Sequence, residues 1–210
     1  MHSLALPQAL TARLRDRARA ESTTVHCALA AALVIGGRTQ APNWRDIPVR
    51  VVSPVNVRRV LGAGEQCGLF IGAALSVFTP EGDDFWRLAR KVKAGIEPAK
   101  TRDGVEPFLS SIQAFLRGGP DVKGTADFTA VAQGHDALLT NLGSLPFEDT
   151  YGRLKLNSLW GPCGVLADFE NKQTIGVATV NDTICLVQTS YTPIVGLLEE
   201  MQALSVVSTS

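Results

Sequence analysis

Cysteine is scarce: four residues in 210, at Cys27, Cys67, Cys163 and Cys185, with no Cys-x-x-Cys pair. That spacing argues against a zinc site or a disulfide framework, so reduced, mostly buried thiols are expected. Histidine is scarcer still, and His2, His26 and His135 are too scattered in sequence for two of them to share one metal ion, so none is expected. Charge of one sign is also missing, since 20 Lys+Arg balance 20 Asp+Glu. Without a basic block there is no electrostatic footprint for nucleic acid. The longest apolar run, Val25 to Gly36, is broken by His26 and falls short of a bilayer span. No charged-then-apolar leader precedes a small-residue cleavage site, and the expectation is a soluble cytoplasmic protein without a membrane span. With 45% hydrophobic and 19% charged residues, the chain has what a packed core needs.

Helix and sheet patterns alternate in blocks. Leu10, Leu14 and Ala18 recur every four residues between Pro7 and Glu21, which predicts a surface helix. Val25 to Ile35 is apolar on every side, as suits a helix packed all round behind a Ser-Thr-Thr cap. Ile47 to Val57 and Leu69 to Phe78 read as strands. Phe85, Leu88, Ala89, Val92 and Ile96 make one face of a helix capped by Asp83 or Asp84, and a shorter helix carries Phe108 to Leu116. Asp121 to Gly134 reads as loop. Strands are then expected at Ala137 to Leu142, Gly152 to Leu159, Thr174 to Val180 and Thr183 to Tyr191, the last two joined at Asn181-Asp182 as a hairpin. An amphipathic helix, Pro193 to Val206, closes the chain. This order predicts an α+β two-layer sandwich: a mixed, largely antiparallel sheet with helices mainly on one face.

Ser53-Pro-Val-Asn-Val-Arg58, then Gly68-Leu-Phe-Ile-Gly72, then the helix from Asp84-Phe-Trp-Arg, follow in an order and spacing that resemble a known family. The likeness is to the C-terminal half of the chloramphenicol acetyltransferase-like superfamily, with its condensation domains, polyketide-associated acyltransferases, alcohol acetyltransferases and BAHD enzymes. Val-Asn-Val-Arg58 is similar to that family's Val-Asp-x-Arg, and Gly68 to Gly72 to its Gly-x-Phe-x-Gly-Asn, with Ala73 in place of Asn. Leu138-Leu-Thr-Asn-Leu-Gly143 resembles its Ser-Asn-Leu-Gly strand, and Leu159-Trp-Gly-Pro162 is a degenerate form of the BAHD Asp-Phe-Gly-Trp-Gly. The resemblance implies residues 1–210 as a single acyltransferase C-terminal lobe. It implies transfer of an acyl group from a thioester, acyl-CoA or acyl-phosphopantetheine, to a hydroxyl or amine, with no resident cofactor.

The family's base sits in the other lobe, in His-His-x-x-x-Asp-Gly, because an alcohol needs a near-neutral base to become a nucleophile. This sequence has no such segment: Asp103-Gly104 lacks an upstream His, and four residues past His135 stands Leu139. No catalytic residue is therefore expected in the chain, and the complementary lobe is its implied partner, or a self-associated copy or an acyl carrier protein. His26 and Cys27, neighbours on a helix, should diverge, and His135 and Asp136 should face opposite ways on a strand. Thr140 and Asn141 on an apolar strand are candidates to line the channel, with Asn141 expected to face the cleft and Thr140 the helices; a turn cap before Gly143 is the alternative for Asn141. Trp160 is either a channel aromatic or core. Arg58 either orients the opposite lobe's loop, as the resemblance suggests, or serves as a structural charge at a strand end. Two other readings stay open: a non-catalytic subunit holding an acyl carrier, a lipid or a partner lobe, and a hydrolase using Cys or Ser with His135.

Overall fold

The computed structural model describes residues 1–80, 84–132, 134–164 and 170–209. Six strands form the main sheet: β1 (His2–Ala5), β2 (Val49–Asn56), β3 (Ile71–Phe78), β4 (Ala137–Ser144), β7 (Gln173–Val180) and β8 (Thr183–Thr189). Their spatial order is β1-β8-β7-β4-β2-β3, with β4 parallel to both β2 and β7 and the other pairs antiparallel. The mixed, mainly antiparallel α+β sheet expected from the sequence is the one observed. Two minimal strands, β5 (Thr150–Tyr151) and β6 (Leu154–Lys155), pair only with each other.

Period-two burial fixes which face of the sheet meets the helices. Val49, Val51, Ser53 and Val55 of β2 are buried, as are Gly72, Ala74, Ser76 and Phe78 of β3 and Ala137 and Leu139 of β4. Helix α2 (Val25–Gln40) covers this face and is buried along its length from Cys27 to Val34, which its all-round apolar sequence anticipates. It packs between α4 (Phe85–Ile96) and α7 (Leu197–Ser208), with α1 (Gln8–Ala20) across β8 and the single-turn α3 (Pro42–Arg45) seating Trp44 beneath it. Thr24 caps α2 by accepting from Cys27 N–H, and Asp84 caps α4 by accepting from Arg87 N–H. Burying one Leu-sized side chain of this core contributes about 1.5–3 kcal/mol.

Among the described residues the opposite face is only half covered. Over β7 and β8 lies the segment leading to Gly164: Thr189 Oγ1 donates to Gly164 O at 2.7 Å. Pro162 O presses against Gly176 so closely that a Cβ there would overlap it. Over β2, β3 and β4 nothing comparable lies among the described residues, and Ile71, Leu75 and Val77 are 42%, 54% and 42% exposed.

Three expectations are corrected. Asp121 to Gly134 is not loop: α6 (Val122–Ala132) forms there, started by Asp121 Oδ1 accepting from Gly124 N–H. It leans back on α5 (Arg102–Arg117) through Phe115 and Phe128, stacked 4.1 Å apart. Gly152 to Leu159 is not a sheet strand, because among the described residues only Leu154–Lys155 finds a partner and Leu154 stays 74% exposed. The thiols are not mostly buried: Cys67 and Cys163 are exposed. The strand β1 was unforeseen, being four residues that add to the sheet edge beside β8. Among the described residues no single helix is long and apolar enough to cross a membrane.

Candidate functional site

The parallel strands β2 and β4 end side by side, and a cleft of about 720 Å³ opens at their carboxyl ends on the uncovered face. Pro54 and Asn56 of β2 and Leu138, Thr140 and Leu142 of β4 form its floor. One wall is the loop after β2, through Arg58, Leu69 and Phe70; the other is Pro162, Cys163 and Gly164.

Each wall is fixed by a polar device. Asn56 Oδ1 accepts from Arg58 N–H at 3.0 Å and turns the chain out of β2. The Arg58 guanidinium then donates to the carbonyls of Gly64, Gln66 and Gly68 at 2.9, 2.5 and 3.4 Å and lies 4.7 Å from the Phe70 ring centroid. A planar fork suits this multi-point grip, which a lysine ammonium cannot reproduce. Arg58 thus fastens its own loop.

The two polar residues of β4 both line the cleft, with the sides they face the reverse of those expected. Leu138 pairs with Val52 and Thr174 on the uncovered face, so Thr140, two residues on, faces the cleft. Asn141 shares the helix side with Leu139, lines the cleft together with Thr140 as expected, and spends Oδ1 on Gly143 N–H at 2.7 Å. Gly143, at φ 72°, closes this turn, and the ladder with β7 shifts register between Asn141 and Ser144. The turn-capping alternative for Asn141 is the one observed. Trp160 is 42% exposed, hence not core, and the lining of its segment begins two residues later at Pro162.

The histidines lie elsewhere. His26 Nε2 is 2.8 Å from Ser53 Oγ, a contact across 27 positions that the sequence did not signal. Burial, with Lys100 nearby, pushes its imidazole down to about 4. His135 is buried, its Nδ1 has no partner among the described residues, and it too is lowered to about 4, mainly by burial with help from Lys172 and Arg50. Its neighbour Asp136 is held by Arg50 in a forked pair, with Nη2–Oδ1 at 2.9 Å and Nε–Oδ2 at 3.1 Å. Neither histidine touches the cleft, whose described lining holds no His, Asp or Glu. Among the described residues no cluster of three metal-ligating side chains occurs.

Residues 1–163 match the family model described as the phthiocerol/phthiodiolone dimycocerosyl transferase C-terminus. The chain belongs to that family. That family is the C-terminal part of an acyltransferase, as the motif order had suggested. No curated protein sequence matches the chain. Among solved structures it is similar to polyketide synthase associated protein 5 from Mycobacterium tuberculosis, with TM-score 0.68, 18% identity, all of this chain and 51% of that one covered. The epimerization domain from the third module of tyrocidine synthetase B gives TM-score 0.64 at 16% identity, covering 99% of this chain and 47% of its own. The wax ester synthase/diacylglycerol acyltransferase from Marinobacter aquaeolei gives 0.54 at 16%, covering 99% and 48%. The PapA_C-family chain therefore spans about half the length of the structures it resembles.

Proposed function

We propose that this chain forms one wall of an acyl-transfer channel. The reaction would move an acyl group from a coenzyme A or carrier-protein thioester to a hydroxyl or amine once a lobe bearing the histidine base stands opposite. The observation that supports this most is the cleft itself. It has a polar floor in Thr140 and Asn56 and a loop braced by Arg58, yet its described lining holds no His, Asp or Glu to serve as the base. General-base assistance is worth about 10²–10⁴ in rate, so a wall without a base positions substrate and does little chemistry. Arg58 contributes by presenting a rigid loop to the opposing lobe.

The test is a thiol-release assay with acyl-CoA and alcohol or amine acceptors. The chain alone is expected at background, and addition of a His-His-x-x-x-Asp-Gly lobe should bring acceptor-dependent release. Turnover by the purified chain alone, abolished by His26→Ala or His135→Ala, would overturn the reading.

A further inference from the structure

A second cavity, about 420 Å³, lies on the helix side of the same strand ends, separated from the cleft by Pro54, Asn56, Asn141 and Leu142, which line both. Its inner wall is apolar, made by Val25, Val55 and Ile96. Its rim carries Lys93 and Lys100, and its described lining includes no Asp or Glu. The volume is in the range of small-molecule sites, and apolar walls with a few convergent polar groups are the composition of such sites.

We propose that this side pocket holds an aliphatic chain ending in a carboxylate, the chain against Val25, Val55 and Ile96 and the carboxylate between Lys93 and Lys100. Charge selects the sign of the ligand. Lys93 Nζ donates to Ser22 O at 2.9 Å and Lys100 Nζ to Glu97 Oε1 at 2.9 Å, and an ammonium with three donors keeps others for a ligand. Glu97 offsets part of the Lys100 charge but does not line the cavity. The amino end of α2, a helix of 16 residues, lies at the same pocket through Thr24, Val25 and His26 and adds positive potential there. His26, tied through Nε2 to Ser53, presents an uncharged ring to the cavity, so the positive charge stays with the two ammonium groups at the rim.

Because the two cavities adjoin, the proposal deepens the acyl-transfer reading and rests on it for one point only, that the chain so held is the acyl group. Dicarboxylic acyl units, with the thioester carbonyl in the cleft and the distal carboxylate in the pocket, are the substrate class implied.

Octanoate and octan-1-ol, of equal chain length, separate the terms. Calorimetric titration of the full chain should show octanoate binding at least about tenfold tighter than the alcohol. His26 ring resonances should shift on octanoate addition, and the double variant Lys93→Met, Lys100→Met should lose the preference while keeping the wild-type melting temperature. Equal affinity for acid and alcohol, no binding of either, or a preference that survives the double variant each overturns the pocket. Octanoate binding without transfer by the two-lobe mixture would sink the acyl-transfer reading alone. Transfer with no preference for dicarboxylic acyl groups would sink the acyl-group assignment alone.

Discussion

Asn141 and Thr140 are adjacent and both polar, yet only one of them holds the backbone. Asn141 Oδ1 satisfies Gly143 N–H, so Asn141→Ala should lower stability by about 1 kcal/mol, the net worth of such a bond, read as a shift in denaturant midpoint. Thr140→Val, on the cleft floor, should leave that midpoint unchanged and alter only transfer by the assembled enzyme. The sequence could not rank the two, because Leu138 and Leu139 are both apolar and either parity fits a buried face. The parity comes from pairing with β2 and β7, which is a tertiary fact. The histidines give a second measurable effect. His26 and His135 are both lowered from 6.5 to about 4, so between those values the unfolded chain binds more protons than the folded one. Stability should be complete above pH 6.5 and decline as pH falls towards 4. His26→Gln should flatten part of that decline in thermal melts across the window. A melting temperature falling with the same slope in both proteins would show that His26 titrates normally.

Helices with one apolar stripe and strands with clean alternation were legible; elements that depend on a neighbour were not. Helix α4 begins at its Asp84 cap, as its stripe of Phe85, Leu88, Ala89, Val92 and Ile96 announced. Helix α6 was hidden because Gly124, Thr125 and Thr129 are weak helix formers and its stacking partner Phe115 lies on another helix. The alternation of Leu154 and Leu156 against Arg153 and Lys155 promised a strand that, among the described residues, no third strand came to pair. The cover over β7 is the most sensitive element. Pro162 O and Val187 leave no space beside Gly176, so Gly176→Val should displace the Pro162–Gly164 wall. Chemical unfolding should report a loss of about 1–3 kcal/mol, the range of overpacking changes, with faster labelling of Cys163. An unchanged midpoint and labelling rate would mean that this wall moves aside freely.

The domain as a whole presents one finished face and one unfinished one. Ile71, Leu75 and Val77 stand in a row on an outermost strand without Pro, bulge or outward charge, the arrangement that natural sheets avoid unless something covers it. The isolated chain should therefore self-associate as its concentration rises, and Leu75→Lys should shift sedimentation towards the monomer without lowering the melting temperature. A wild-type monomer at high concentration would show that this row needs no cover. Family membership and the order of the motifs were readable from the residues alone, whereas the uncovered area was readable only as a sheet lacking helices on one side.

The pairing of β1 with β8 joins Ala5 to Cys185 and brings His2 within 2.7 Å of Glu199, so β1 is held by elements nearly two hundred residues further along. During synthesis at about 5–20 residues per second, β1 waits roughly 10–40 s for β8 to be made. Throughout that interval Leu4 and Leu6 have nothing to pack against on β8, and the buried run of α2 has no α7. Until β8 and α7 have been made these surfaces stay exposed, and a permuted domain that joins residue 209 to residue 2 through a short linker should shorten that interval, read as faster recovery of the folded state on refolding.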